Sequence, residues 1–112
     1  MSSADYIPHH ELFQHYPSTA NLQHTRPASV SEIGHGGPVN HQDDLTDFWS
    51  SVDAKPCLRS VLKAPSNEDG HAGYSSPLDE QRFLVETINR LQKTPDWKGT
   101  AAVISYVDSD GW

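Results

Sequence analysis

The sequence predicts an α/β fold in which a long irregular region precedes a βαβ unit. Two observations predict the unit: a helix signal begins at Ser76, and a nearly continuous apolar run, residues 100–106, follows it. A third is the apolar-rich run 57–63, which is typical of a short strand before the helix. Strand, helix and strand in this order normally form a right-handed crossover, which favours an α/β architecture.

The first part of the chain carries no comparable signal. Residues 1–44 show no sustained helical or strand periodicity and hold six of the seven histidines. An irregular stretch of this length is either disordered or a functional loop that a partner surface holds in place. The sequence therefore predicts an irregular His-rich loop region, 1–44, and a partial α/β segment, 45–112.

Two helices are predicted in the second segment. Apolar residues spaced i, i+3, i+4 and i+7 from Leu45 predict a short helix, which Asp43 or Asp44 would cap. The run Ser76-Pro77-Leu78-Asp79 combines a capping serine, a proline at the first helical position and an acid, so a longer helix is predicted to residue 93. Its predicted core face comprises Leu84, Ile88 and Leu91.

Composition limits the partners of this chain. The formal net charge is -7, which disfavours nucleic acid and anionic membrane surfaces because both bind clustered Lys and Arg. Leu, Ile, Val and Phe account for 22 of the 112 residues, close to the lower limit for burying a core. Neither a transmembrane segment nor an export signal is predicted, and the sequence does not indicate a compartment.

Histidines are the most numerous candidate functional side chains. His71 lies in a Gly-rich turn segment, which places it on a loop. Each N-terminal histidine alone is interpreted as a water-facing loop residue, and the adjacent pair His9-His10 lacks the spacing of metal ligands. A weaker alternative is a transition-metal site formed by His35 and His41 with Asp43-Asp44.

Acidic residues follow the predicted buried strand. Asp108 and Asp110 stand where open α/β sheets bind ligands, just beyond the carboxyl end of a strand. Carboxylate oxygens suit a hard divalent cation. The same run, Asp-Ser-Asp-Gly, is also ordinary turn chemistry, so the residues alone leave both interpretations open.

Three phrases make the sequence recognisable: Ala20–Ser29, Lys63–Gln81 and Asp96–Trp112. Together they resemble the bacterial phosphoesterase family, which contains non-specific phospholipase C and related acid phosphatases, and the resemblance covers essentially the whole chain. It implies a partial alkaline-phosphatase-like fold. It also implies that the chain is an internal segment from the C-terminal half of a much longer protein.

The resemblance further implies a phosphoric-ester hydrolase acting on phosphomonoesters or on diesters such as phospholipid head groups. Family members use a hydroxyl nucleophile beside a divalent metal. His71 matches a family histidine expected to hydrogen-bond the phosphoryl group or assist proton transfer, and the resemblance implies a similar part for His24. Asp108 matches the second member of a metal-binding Asp-Asp pair, whereas Val107 replaces the first member and cannot ligate a metal.

The family's upstream Glu-Asn metal pair and its nucleophile have no counterpart in these 112 residues. The resemblance therefore implies a fragment that is inactive alone and does not bind its divalent metal tightly. Two alternatives stay open: a non-catalytic fragment that binds a complementary chain, and a gene remnant without function. Family members are often exported, but the localisation of this chain is not predicted.

Overall fold

The computed structural model describes residues 5–54 and 59–106. Two α-helices, α1 (Leu45–Ala54) and α2 (Pro77–Leu91), form its longest regular elements. Short 3₁₀ helices punctuate the remaining chain, among them Pro8–His10, Leu12–His15, Val30–Glu32, Pro38–Asn40, Ser66–Glu68 and Pro95–Gly99. None of the helices in these two ranges is long and apolar enough to cross a membrane.

The prediction of a βαβ unit in a partial alkaline-phosphatase-like α/β fold is wrong for this structure. The described residues contain no β-strand. Residues 59–63 of the first predicted strand have no regular structure, and Cys57 and Leu58 lie outside the described ranges. Thr100, which opens the second run, has extended backbone angles, φ -92° and ψ 131°, yet no strand lies beside it.

The exposure of its side chains shows why the apolar run 100–106 does not form the predicted strand. Val103 is 91% exposed and Ile104 is 52% exposed. A strand exists only when a neighbouring strand pairs with its backbone amides and carbonyls. The sequence encodes a run suited to burial, but nothing in that run supplies the second strand, so residues 100–106 have no regular secondary structure.

Helix α2 begins as the sequence predicts. The Ser76 hydroxyl accepts a hydrogen bond from the Asp79 amide at 3.3 Å, and an Asp79 carboxylate oxygen accepts one from the Ser76 amide at 3.1 Å. Pro77 occupies the first helical turn, where its missing N–H costs nothing. The helix ends at Leu91, two residues before the predicted end, and none of its residues is buried.

Asp44 caps α1, which confirms one of the two capping residues that the sequence predicts. A carboxylate oxygen of Asp44 accepts hydrogen bonds from the amides of Thr46 at 2.8 Å and Asp47 at 3.0 Å. These amides lack partners within the helix, so an acidic side chain at this position stabilises its start. The cap fixes the direction in which the first turn of α1 projects Asp47.

Both helices touch through one arginine. The Arg90 guanidinium of α2 lies 4.1 Å from the ring centroid of Trp49 in α1. The same guanidinium pairs with Asp53 at 3.1 Å. Helix α1 also contacts the 3₁₀ helix Val30–Glu32, so α1 connects the N-terminal loops to α2.

The buried interior is mostly polar. Ile33, 7% exposed, is the large apolar residue buried among the described ones. The buried polar residues are Asn21, Asn40, Asp47, Ser51 and Ser66. Hydrogen bonds and ion pairs therefore hold this chain together where an ordinary domain of this size would use an apolar core.

Candidate functional site

A single buried amide organises the loop that carries His24. Asn21 Nδ2 donates hydrogen bonds to the carbonyl oxygens of Thr25 at 2.8 Å and Gln42 at 3.1 Å. Its Oδ1 accepts one from the Thr25 amide at 3.1 Å. These bonds close residues 21–26 into a compact loop, here called the Asn21 loop, and attach it to the segment before α1.

The geometry of the Asn21 loop forces His24 into an unusual backbone conformation. His24 has φ 48°, in the left-handed region that non-glycine residues seldom adopt. Its ring packs edge to face against Tyr6, with ring centroids 4.4 Å apart. The Tyr6 hydroxyl in turn accepts a hydrogen bond from Gln14 at 2.8 Å. The loop therefore holds one histidine in a fixed position.

Arg26, at the end of the Asn21 loop, anchors it to α1. Its guanidinium makes two hydrogen bonds to the Asp47 carboxylate, with the Nε bond at 3.1 Å. Asp47 is 7% exposed, and a bidentate arginine is the partner that best satisfies a buried carboxylate. This pair occupies both groups, so Arg26 serves the architecture of the site.

His71 lies in a second constrained segment, the turn formed by residues 69–75, here called the His71 turn. Asp69 Oδ1 accepts hydrogen bonds from the His71 amide at 2.9 Å and from the Ser75 hydroxyl at 3.0 Å. Gly70 adopts φ 74°, and a β-carbon there would approach the Glu80 side chain to 2.6 Å. A larger residue would strain this backbone and displace the Glu80 side chain, so the turn favours glycine here.

A hydrogen bond also fixes the ring of His71. Its Nδ1 lies 2.7 Å from the carbonyl oxygen of Ala72. A carbonyl only accepts hydrogen bonds, so Nδ1 carries the proton, and the neutral ring keeps a free lone pair on Nε2. The Tyr74 ring stacks beside it at 4.8 Å between centroids. His71 can thus accept a proton, or donate one when charged, at Nε2.

His10 lies beside the His71 turn, although the residue pattern assigns it no role. Its ring centroid lies 6.0 Å from that of His71. Burial lowers the pKa of His10, and the charges of Lys63 and His9 lower it further. The missing signal is spatial: His10 and His71 are distant in sequence, and only the folded chain places them side by side.

A cleft of about 430 Å³ lies between the N-terminal loops, the start of α1 and the segment 59–65. His24 and His10 line it, whereas His71 reaches it only through its neighbour His10. Its other polar lining residues include Glu11, Arg59, Lys63 and Asp43. The structure therefore brings one predicted histidine, His24, into the cleft and places the other beside it.

Opposite charges meet in this cleft. Lys63 forms no ion pair within 4 Å with the described residues, and its charge lowers the pKa values of His10 and Glu11. Burial nevertheless raises the pKa of Glu11 above its ordinary value. The Lys63 ammonium is therefore available to an anionic ligand entering beside His10.

The other end of the cleft is acidic. Burial raises the pKa of Asp43 to about 6, and the neighbouring carboxylates of Asp47 and Asp44 raise it in the same direction. Arg26 and His41 oppose the shift with positive charge. Asp43 is thus partly protonated near neutral pH, and this end of the cleft does not favour anions.

The predicted metal ligand, Asp108, lies outside the described residues, as does Val107. Within ranges 5–54 and 59–106, no group of three His, Cys, Asp or Glu side chains is arranged to hold a metal ion. His35 and His41 with Asp43-Asp44 accordingly do not form such a group. The described residues by themselves do not fit a divalent metal.

Comparison with known proteins identifies the family. A search of curated proteins found no match. A model of the phosphoesterase family matches residues 10–112, a range that includes His10, the Asn21 loop and the His71 turn. Because this match spans nearly the whole chain, the protein belongs to the phosphoesterase family, and membership indicates a phosphoric-ester hydrolase.

Proposed function

We propose that this chain is a segment of a hydrolase similar to phospholipase C and acid phosphatase, and that it supplies part of the phosphoryl-binding site. The observation that carries the proposal is the family match over residues 10–112. The cleft supports it, because His10, His24 and Lys63 line one volume of about 430 Å³. A phosphomonoester or a phospholipid head group presents the anion for which such a group of side chains is suited.

Each side chain has a distinct part in this proposal. The Lys63 ammonium attracts the phosphoryl oxygens, and His24 hydrogen-bonds one of them from its fixed position in the Asn21 loop. His71 exchanges a proton at Nε2, the ring nitrogen that the Ala72 carbonyl leaves free. His10, which lies between His71 and the cleft, completes the group.

A divalent metal belongs to the proposal as well. Asp108 would be one ligand, and the remaining ligands would come from outside the described residues. The metal would stabilise phosphoryl charge when bound. With too few ligands in the described segment, the 112-residue chain is expected to take up neither Mn²⁺ nor Ca²⁺ tightly and to turn over no substrate alone.

Activity is tested first. The purified chain is incubated with p-nitrophenyl phosphate and with p-nitrophenylphosphorylcholine, each with Mn²⁺ or Ca²⁺. We expect no release of p-nitrophenol above the blank. Robust hydrolysis of either substrate would show that the chain is a complete enzyme and would overturn this part of the proposal.

Phosphate binding is tested separately, by NMR. Inorganic phosphate is titrated into the ¹⁵N-labelled chain, and the imidazole signals of all seven histidines are followed. We expect shifts at His10 and His24, which line the cleft, and at His71 beside His10, but not at His15 and His35, which neither line the cleft nor lie beside His10. Lys63→Gln should weaken the response, whereas Lys98→Gln, at an exposed site in the 3₁₀ helix Pro95–Gly99, should leave it unchanged.

A second candidate function is the binding of a complementary phosphoesterase polypeptide. An apolar groove of about 260 Å³ lies between α2 and Ile104, lined by Leu84, Val85 and Ile88. Apolar surface of this kind favours a partner. Mixing the chain with a polypeptide that carries the family's Glu-Asn pair and nucleophile should then yield phosphatase activity; two inactive components that stay inactive and do not co-elute would exclude this function.

A further inference from the structure

Asp69 is a deeply buried carboxylate near the candidate site. Its side chain is 2% exposed, although it lies in a loop between two histidines. A charged group is seldom buried to this extent unless its oxygens have defined partners. The two oxygens of Asp69 differ in this respect, and the difference indicates what the residue does.

Oδ1 is fully engaged. It accepts hydrogen bonds from the His71 amide at 2.9 Å and from the Ser75 hydroxyl at 3.0 Å. The Ser75 hydroxyl is itself held by the Gly70 amide at 2.8 Å. This oxygen therefore fixes the backbone of the His71 turn from inside.

Oδ2 faces His10. It is buried and makes no hydrogen bond to any described residue, and the same is true of Nδ1 of His10. The two atoms lie 3.9 Å apart, about 1 Å beyond an ordinary N–H···O bond. Two buried, complementary and unpaired atoms at this separation form a hydrogen bond after a small rotation, as catalytic pairs do when a ligand binds.

The charges around His10 point to the same pair. Lys63, His9 and His71 all face the imidazole and lower its pKa, whereas the Asp69 carboxylate is the neighbour that raises it. Because burial also lowers the pKa, His10 is largely neutral at pH 7. A neutral ring has two tautomers, and an acceptor beside Nδ1 selects the one with its proton there.

We propose that Asp69 is the positioning residue of the histidine pair, its Oδ1 fixing the His71 backbone and its Oδ2 accepting a hydrogen bond from Nδ1–H of His10. Both rings then carry the proton on Nδ1 and leave Nε2 free to accept a proton. The role of the pair toward phosphate rests on the proposed function above. The hydrogen bond itself does not, and it can be measured without a ligand.

The test is the tautomer of His10, read from long-range ¹H–¹⁵N correlations of the labelled 112-residue chain at pH 7. We expect His10 to be protonated at Nδ1, with exposed His15 showing the Nε2–H form that predominates in water. Asp69→Asn should transfer the His10 proton to Nε2 and lower the pKa of His10 in a pH titration. A His10 that carries its proton on Nε2 in the unaltered chain overturns the proposal, even if the variant fails to fold.

Two controls separate positioning from general effects. Glu86→Gln removes a carboxylate from an exposed site on α2 and should leave the His10 tautomer unchanged. Ser75→Ala removes one partner of Oδ1 but keeps Oδ2, so it should loosen the His71 turn and retain the Nδ1–H form. A switch of tautomer in either control would contradict the assignment to Asp69.

The same samples distinguish this inference from the proposed function. If phosphate shifts no histidine signal while the tautomer switches in Asp69→Asn, the phosphoryl-binding proposal fails and Asp69 keeps its structural assignment. If phosphate shifts His10 and His71 but the tautomer does not depend on Asp69, the reverse holds. When both results are positive, the phosphoryl-binding proposal and the assignment of Asp69 both stand.

Discussion

Two regions of this chain hold their shape by opposite means. Residues 21–47 have almost no apolar pattern, yet the Asn21 loop and the Arg26–Asp47 pair give them a defined conformation. Residues 77–106 contain the most regular helix and the most apolar run, yet their large apolar side chains remain half-buried or exposed. A polar segment completes its hydrogen bonds locally, whereas an apolar run needs a second surface.

The comparison also separates two kinds of functional evidence. Both candidate histidines from the sequence, His24 and His71, lie in segments where side-chain-to-backbone hydrogen bonds fix the local conformation. Hydrogen bonds of this type join residues close in sequence. The signal for both histidines therefore lies in short contiguous stretches of the sequence. The contribution of Asp108 stays a prediction, because this residue lies outside the described part of the chain.

The largest effect is expected from Asn21→Ala, which would break the polar region. It removes both donors to Thr25 and Gln42 and the acceptor for the Thr25 amide. Leaving these buried groups unpaired should lower the free energy of unfolding by about 3 kcal/mol. Urea denaturation followed by far-UV circular dichroism measures it, with Asn89→Ala on the exposed face of α2 as the matched control; equal losses in both would contradict the polar-region model.

Arg26→Ala should have the next largest effect. Asp47 would remain buried beside Asp43 and Asp44 without its bidentate partner, at a cost of about 2 kcal/mol. Arg82→Ala is the matched change in the other region, since Arg82 makes exposed pairs with Asp79 and Glu68 that contribute little because solvent screens them. Denaturation midpoints of the two variants test the difference, and a larger loss for Arg82→Ala would reverse the comparison.

Asp43→Asn should stabilise the same region at neutral pH. Because the pKa of Asp43 is about 6 in the folded chain and its ordinary value is near 4, the native state holds the proton more tightly than the unfolded chain. This stabilisation is fully present below about pH 4 and is lost as the pH rises through about 6. Since Asp43 is partly exposed, the variant should gain only about 1 kcal/mol at pH 7.

Thermal unfolding at pH 4, 5, 6 and 7 measures this effect. The Asp43→Asn variant should show a smaller loss of stability across the range than the unaltered chain. Asp96→Asn, in the 3₁₀ helix Pro95–Gly99, serves as the control for removal of one carboxylate. A parallel pH profile in Asp43→Asn and the unaltered chain would show that Asp43 is not the group responsible.

The smallest effect is expected from Ile104→Ser, which tests the region 77–106. Ile104 is 52% exposed, so the substitution should change the free energy of unfolding by less than about 0.5 kcal/mol. Ile33→Ser, at the buried apolar site, is the matched change and should be clearly more destabilising than Ile104→Ser. If Ile104→Ser were as damaging as Ile33→Ser, the run 100–106 would be buried after all.

Prediction from the sequence succeeded where the signal is local. The start of each helix follows from a capping side chain, Asp44 or Ser76, that accepts a hydrogen bond from an amide three residues later. The two strand predictions were wrong because strand formation depends on a neighbouring strand that the local pattern does not specify. The same reasoning explains why the residue pattern assigns no role to His10. Its contact with His71 is created by the fold, and residue spacing does not predict it.

The sequence by itself determined the family, the two helices with their caps, and His24 and His71 as residues in constrained loops, because contiguous phrases and short-range hydrogen bonds carry that information. The tertiary structure alone decided that Lys63 and His10 share a cleft with His24 and that Asp69 lies buried between His10 and His71. It also decided that the apolar run 100–106 stays exposed. These outcomes depend on contacts between segments that are distant in sequence. Such contacts form only when the whole chain folds, so residue spacing does not reveal them.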